Sequence, residues 1–117
     1  MTEGLKIDTV RSYSSGMVGR ALNSARTNHF VIDSPNGPNE ALTSGEAFLA
    51  GISSCGVTLV ELYAREKGIP VTSMHVTIEG IRSLANPTSF QAINMRFEIA
   101  GVDPAQADHL VETYKSR

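Results

Sequence analysis

The residue in this 117-residue chain best suited to nucleophilic chemistry is its sole cysteine, Cys55. A thiolate is the reactive form of cysteine, and a nearby positive group or base favours it. The sequence offers five candidates for that group: Arg11, Arg20, Arg26, His29 and His75. Free cysteine is also among the residue types most often buried as a small apolar group. Two interpretations of Cys55 therefore stand side by side, as a nucleophile or as a core residue.

The element that must position Cys55 is a long predicted helix. Thr43 and Glu46 have the spacing of a capping box, and Gly68 is suited to the position just after a helix. The large apolar residues fall on one face, and small residues fall on the neighbouring face: Phe48, Ile52, Cys55, Leu59 and Leu62, then Ala47, Gly51, Ser54 and Thr58. This pattern predicts a helix buried nearly all round, for which a second subunit is a reasonable source of cover.

Strands are predicted on both sides of this helix. Four segments have a suitable composition or alternation of apolar residues: residues 8–13, 29–33, 74–79 and 93–99. Asp103 and Pro104 are typical of the N-cap and first residue of a helix, whose apolar positions include Leu110 and Tyr114. No repeat or linker interrupts the chain, so we expect residues 1–117 to form a single domain.

Composition excludes several classes of function. The net charge of −2 and the lack of a basic cluster argue against nucleic acid as a partner. Residues 47–60 form the longest apolar stretch, which we expect to be too short and too mixed for a membrane span. The scattered histidines show no metal-ligand spacing, so we expect no metal and no cofactor. A lone cysteine and a polar N-terminus predict a protein of the reducing cytoplasm.

The order of these motifs resembles the OsmC family, which includes the organic hydroperoxide resistance proteins. The resemblance covers about residues 26–117, and it is carried by HFVIDSP, a Gly/Pro loop, EAFLAGISSCGVTL in the helix and AREKGIPVTSMHVTIEG after it. It implies an α+β fold in which antiparallel sheets pack around a long buried central helix. It also implies an intertwined homodimer whose active sites are built from both chains.

The resemblance also implies a chemistry. Cys55 matches the peroxidatic cysteine, which attacks an organic hydroperoxide and becomes a sulfenic acid. An arginine from the N-terminal half would stabilise the thiolate, and a carboxylate ahead of the helix would orient that arginine. We favour Arg26 for this role, with Arg20 as the alternative. An external thiol would then reduce the oxidised cysteine.

The sequence departs from the family pattern at two places near Cys55. The family's second cysteine is not in this chain, and the resemblance places its Cys-Pro motif beyond Arg117. The family's glutamate lies ten residues before the cysteine, where this chain has Gly45. Glu46 lies nine residues before Cys55, on the opposite face of a continuous helix, and its capping role explains it without catalysis.

Two functions follow from these observations. The first is an OsmC-like thiol-dependent hydroperoxide reductase, in which Cys55 acts on a small apolar hydroperoxide. The alternative is a non-catalytic dimer of the same fold that binds an apolar small molecule, with Cys55 as a core residue.

Overall fold

The computed structural model describes residues 4–116. These residues form five strands and two helices: β1 Arg11–Ser14, β2 Arg20–Ala25, β3 Asn28–Asp33, α1 Ser44–Lys67, β4 Ser73–Ile81, β5 Ala92–Ala100 and α2 Pro104–Lys115. The strands pair antiparallel in two sheets, of order β1-β2-β3 and β4-β5. This arrangement confirms the predicted α+β class.

The chain divides into two compact units, Met1–Ala47 and Phe48–Arg117. The first unit contains the three-stranded sheet, in which Tyr13 lies opposite Leu22 and Leu22 lies opposite Val31. These three side chains share one face of the sheet, and all three are exposed. The buried side chains among the described residues of this unit are both polar, namely Asn23 and Asp33. The first unit therefore has no buried apolar core of its own within the part described.

The second unit holds the apolar core. Its buried members come from the two helices, Val60, Tyr63 and Ala64 from α1 and Leu110 from α2. Partly buried side chains of β4 and β5 pack against this cluster, together with Tyr114 of α2. The N-cap predicted at Asp103 is confirmed: its side chain accepts from the backbone N–H of Gln106, and Pro104 follows as the first helical residue.

Both predicted ends of α1 are also confirmed. The Glu46 side chain accepts from the Thr43 backbone N–H at 2.9 Å, and the Thr43 hydroxyl accepts from the Glu46 N–H at 3.2 Å. Gly68 follows the helix with a φ of +67°, a conformation that glycine adopts without steric cost. The capping glutamate is therefore engaged at the helix start, as expected.

The single chain buries one face of α1 and leaves another exposed, so it does not supply the cover that was expected from a second subunit. The buried residues of α1 are Gly56 and the three core residues named above, whereas Phe48 is 54% exposed and Cys55 is also exposed. The sequence is apolar nearly all round the helix, so spacing alone could not show which face packs on the chain's own sheet. The two-stranded sheet and α2 cover one face and leave the stripe of large residues largely uncovered.

The length and mean hydropathy of α1 bear on the question of a membrane span. The 24-residue helix has an 18-residue window of mean hydropathy 1.5, which is long and apolar enough for a membrane span by those two criteria. Core helices of globular proteins meet the same criteria, and Val60, Tyr63 and Ala64 of α1 pack in the core of this chain.

Candidate active site

Cys55 is an exposed thiol near the middle of α1. Among residues 4–116 no group forms a hydrogen bond with its Sγ, while its backbone carbonyl accepts from the Thr58 hydroxyl at 3.3 Å. The alternative interpretation, in which Cys55 fills a core, does not hold within the single chain. In the single chain the residue is open to solvent, and nucleophilic chemistry requires such access.

The phenol of Tyr114 lies against the same turn of α1. Its hydroxyl donates to the carbonyl oxygen of Ile52 at 3.4 Å, and its Cζ would lie 3.4 Å from a Cβ added at Gly56. Ile52 and Gly56 flank Cys55 in the helix. Burial raises the pKa of the Tyr114 phenol, and the negative charge of the Cys55 thiolate raises that pKa further.

A second cluster of functional groups lies in the N-terminal unit, around Arg20 at the start of β2. Its guanidinium donates two hydrogen bonds to the Asp33 carboxylate, from Nε to Oδ1 at 2.7 Å and from Nη2 to Oδ2 at 2.8 Å. Nη2 also donates to the Glu40 carboxylate at 2.9 Å. This bidentate geometry fixes the orientation of the guanidinium plane and places its positive charge beside the carboxylate.

Asp33 is the centre of this cluster and is fully buried. Besides Arg20, its Oδ2 accepts from the backbone N–H groups of Glu40 and Ala41, at 2.9 and 3.0 Å. The hydrogen bond from Arg20 holds the pKa of the Asp33 carboxyl far below its usual range, and the two backbone hydrogen bonds lower it further against the effect of burial. The same contacts raise the pKa of Arg20.

The local backbone explains how Glu40 reaches Arg20. Gly19 approaches Gly37 so closely that a Cβ on Gly19 would lie 2.7 Å from the Gly37 Cα, and Gly19 has a φ of +87°. The backbone N–H of Ser34 donates to the Gly19 carbonyl at 2.7 Å. The loop after β3 therefore folds back over the start of β2, because neither glycine carries a side chain.

Arg26, the arginine favoured from the sequence, has a different setting. It lies in the two-residue turn between β2 and β3, with a φ of +57°, and it is exposed. Among the described residues, no carboxylate forms an ion pair with Arg26, whereas Arg20 pairs with two. Arg20 is therefore held by two carboxylates that precede the helix. Arg20 belongs to the first unit and Cys55 to the second.

Sequence reasoning missed Asp33, Glu40 and Tyr114. A signal for Asp33 was present, because it ends a β-branched strand and precedes a proline-rich loop, a position where a carboxylate commonly caps backbone N–H groups. No local signal links Tyr114 to Cys55. No group of three or more potential metal ligands occurs among the residues described.

Comparison with known proteins assigns this chain to a family. The family model of OsmC-like proteins matches residues 37–117, so the chain belongs to the OsmC-like family. No curated protein sequence matches it.

Solved structures agree on the fold. The chain is similar to an OsmC-like protein from Mycoplasma pneumoniae, with 19% identity, a TM-score of 0.84, and coverage of 96% of this chain and 82% of that one. It is also similar to an organic hydroperoxide resistance protein OsmC from Legionella pneumophila, at 17% identity, TM-score 0.69, and 94% and 82% coverage. OhrB of Bacillus subtilis, an organic hydroperoxide resistance protein, matches at 16% identity, TM-score 0.63, and 92% and 82% coverage.

Proposed function

We propose that this protein is a thiol-dependent reductase of organic hydroperoxides, with Cys55 as the peroxidatic thiol. The observation that carries the proposal is an accessible cysteine at the matching position of the long helix in a member of the OsmC-like family. Relatives of the same fold include organic hydroperoxide resistance proteins.

The chemistry proceeds in two balanced stages. The Cys55 thiolate attacks the distal oxygen of R–O–OH, the O–O bond breaks, and Cys55–S–OH and an alkoxide form; the alkoxide takes a proton to give the alcohol. One molecule of an external thiol then condenses with the sulfenic acid and releases water. A second thiol resolves that mixed disulfide, restoring Cys55 and leaving the reductant as a disulfide.

Arg20 is the arginine we assign to the thiolate in this mechanism. Asp33 and Glu40 hold its guanidinium in a fixed orientation through Nε and Nη2, and among residues 4–116 its Nη1 donates to no acceptor. A guanidinium within about 4–6 Å of the sulfur favours the thiolate. Arg26 has no comparable support.

A homodimer is part of the proposal, since a second copy would cover the apolar surfaces that the single chain exposes. Those surfaces include Phe48 and Leu62 of α1 and the sheet face of Tyr13, Leu22 and Val31. A dimer would also let an arginine of one chain serve the cysteine of the other. Size-exclusion chromatography with light scattering tests this point, and a clean monomer at micromolar concentration would contradict it.

Exposure of Cys55 favours the reductase over the alternative, a non-catalytic binding protein with a core cysteine. The test is peroxide consumption with tert-butyl hydroperoxide and a dithiol reductant. We expect catalytic loss of peroxide by the wild type and none by Cys55→Ser, with Arg26→Gln close to wild type and Arg20→Gln slowed. Equal rates for wild type and Cys55→Ser would refute the proposal.

A further inference from the structure

We propose that Tyr114 donates a hydrogen bond from its phenol to the Cys55 thiolate, and so serves as an additional residue of the active site. This inference rests on the proposed function for its catalytic meaning. The interaction itself concerns two groups of the same compact unit, and it can be measured without peroxide.

The placement of Tyr114 supports the inference. Its ring is held by Phe97, at 5.7 Å between centroids in an edge-on arrangement, and by the close approach to Gly56 described above. Glycine at position 56 is what admits the ring, because a Cβ there would also lie 3.2 Å from Met95 Cε and from Phe97 Cζ. The phenol is thereby directed at the helical turn that carries Cys55.

The hydroxyl is weakly engaged where it lies. Its two acceptors are the Ile52 carbonyl at 3.4 Å and the Met95 sulfur at 4.0 Å, both at the long limit for a hydrogen bond. The Ile52 carbonyl also accepts within the helix, so it does not depend on Tyr114 for a partner. Cys55 lies three residues after Ile52 in the helix, and its thiolate is a stronger acceptor than either, because hydrogen bonds to charged groups are the strong ones.

The protonation state of Tyr114 is compatible with this role. Its pKa is raised by burial, with a smaller contribution from the charge of Cys55, so the phenol keeps its proton and remains a donor at neutral pH. The residues that lie against the ring, Gly56 of α1 and Met95 and Phe97 of β5, carry no titratable group. Phenylalanine at position 114 would keep the ring packing and remove only the donor.

The experiment compares Tyr114→Phe with the wild type by alkylation of Cys55 with iodoacetamide over pH 5–10. Tyr13→Phe, at an exposed position of the other unit, is the matched control. Loss of a hydrogen bond to a charged group corresponds to about a tenfold change, so we expect the alkylation midpoint to rise by about one pH unit and the rate at pH 7 to fall about tenfold. A purely structural role for Tyr114 predicts no such shift, since the ring remains.

Identical alkylation profiles for Tyr114→Phe and the wild type would overturn the inference and leave the proposed function standing if the wild type still reduces hydroperoxide. A shifted profile in a protein that reduces no hydroperoxide would sustain the inference and remove the function. Should Tyr114→Phe fail to fold, 3-fluorotyrosine incorporated at position 114 supplies a stronger donor with the same packing. It must lower the alkylation midpoint, and an unchanged midpoint counts against the inference.

Discussion

Truncation of Leu110 to alanine tests how α2, which carries Tyr114, is held against α1. Leu110 is 1% exposed and packs with Val60, Tyr63 and Ala64. A Leu→Ala change in a packed core costs about 2–5 kcal/mol, because transfer free energy is lost and a cavity remains. With an unfolding entropy of about 2.1 cal/mol/K per residue, a loss of about 3 kcal/mol lowers the Tm of a chain of this length by about 12 °C.

The assay is thermal unfolding followed by far-ultraviolet circular dichroism, at one protein concentration throughout. Leu84→Ala is the matched control, since Leu84 is 99% exposed and the same atoms are removed. We expect that control to change stability by less than about 0.5 kcal/mol, or about 2 °C. A drop of less than about 3 °C for Leu110→Ala, or equal drops for the two variants, would refute the assignment of the core.

Two further predictions follow from the packing and the charges. Because the folded-state pKa of Asp33 is depressed, its ionised form adds stability above its unfolded pKa of about 3.9. The wild-type Tm should therefore fall steeply as the pH drops below about 4. The Asp33→Asn variant should be less stable at neutral pH, and its Tm should depend less on pH. Parallel curves of Tm against pH for the two proteins would exclude the Arg20–Asp33 pair. Gly80→Ala would place a Cβ 2.7 Å from Phe90 Cδ1, so urea unfolding should show a loss of about 1–3 kcal/mol, and wild-type stability would mean that Phe90 does not cover this strand.

Local signals in the sequence were sufficient for the elements whose ends are marked by specific residues. Thr43, Glu46 and Gly68 delimit α1, and Asp103 delimits α2, because caps act within one turn of the residue that makes them. Strands β4 and β5 alternate apolar and polar residues along their length. The residues that share the apolar face of each strand can therefore be predicted from its sequence.

Other features depended on contacts that the sequence does not encode locally. Strand β2 escaped prediction because Ala21, Asn23 and Ala25 are of types depleted in strands, and its pairing on both sides supplies what propensity lacks. The sequence did not show which face of α1 is buried, since nearly every face of the helix is apolar.

Some features of the candidate site were likewise predictable from the sequence, and others required the structure. Cys55 was identified from its residue type and from the family resemblance, and its exposure required the structure. The choice of Arg20 over Arg26 rests on the register that sets Arg20 opposite Asp33 across two strands. Tyr114 lies 62 residues from its partner Ile52, so only the docking of α2 on α1 brings it to the turn that carries Cys55.

The most direct test of the central claim is the mass of the intact protein after one turnover. The reduced protein is mixed with one equivalent of cumene hydroperoxide, with dimedone present to trap a sulfenic acid. We predict loss of the free thiol and a dimedone adduct at Cys55, formed faster than with one equivalent of hydrogen peroxide. A protein that keeps its free thiol and gains no adduct would contradict the assignment of Cys55 as a peroxidatic residue.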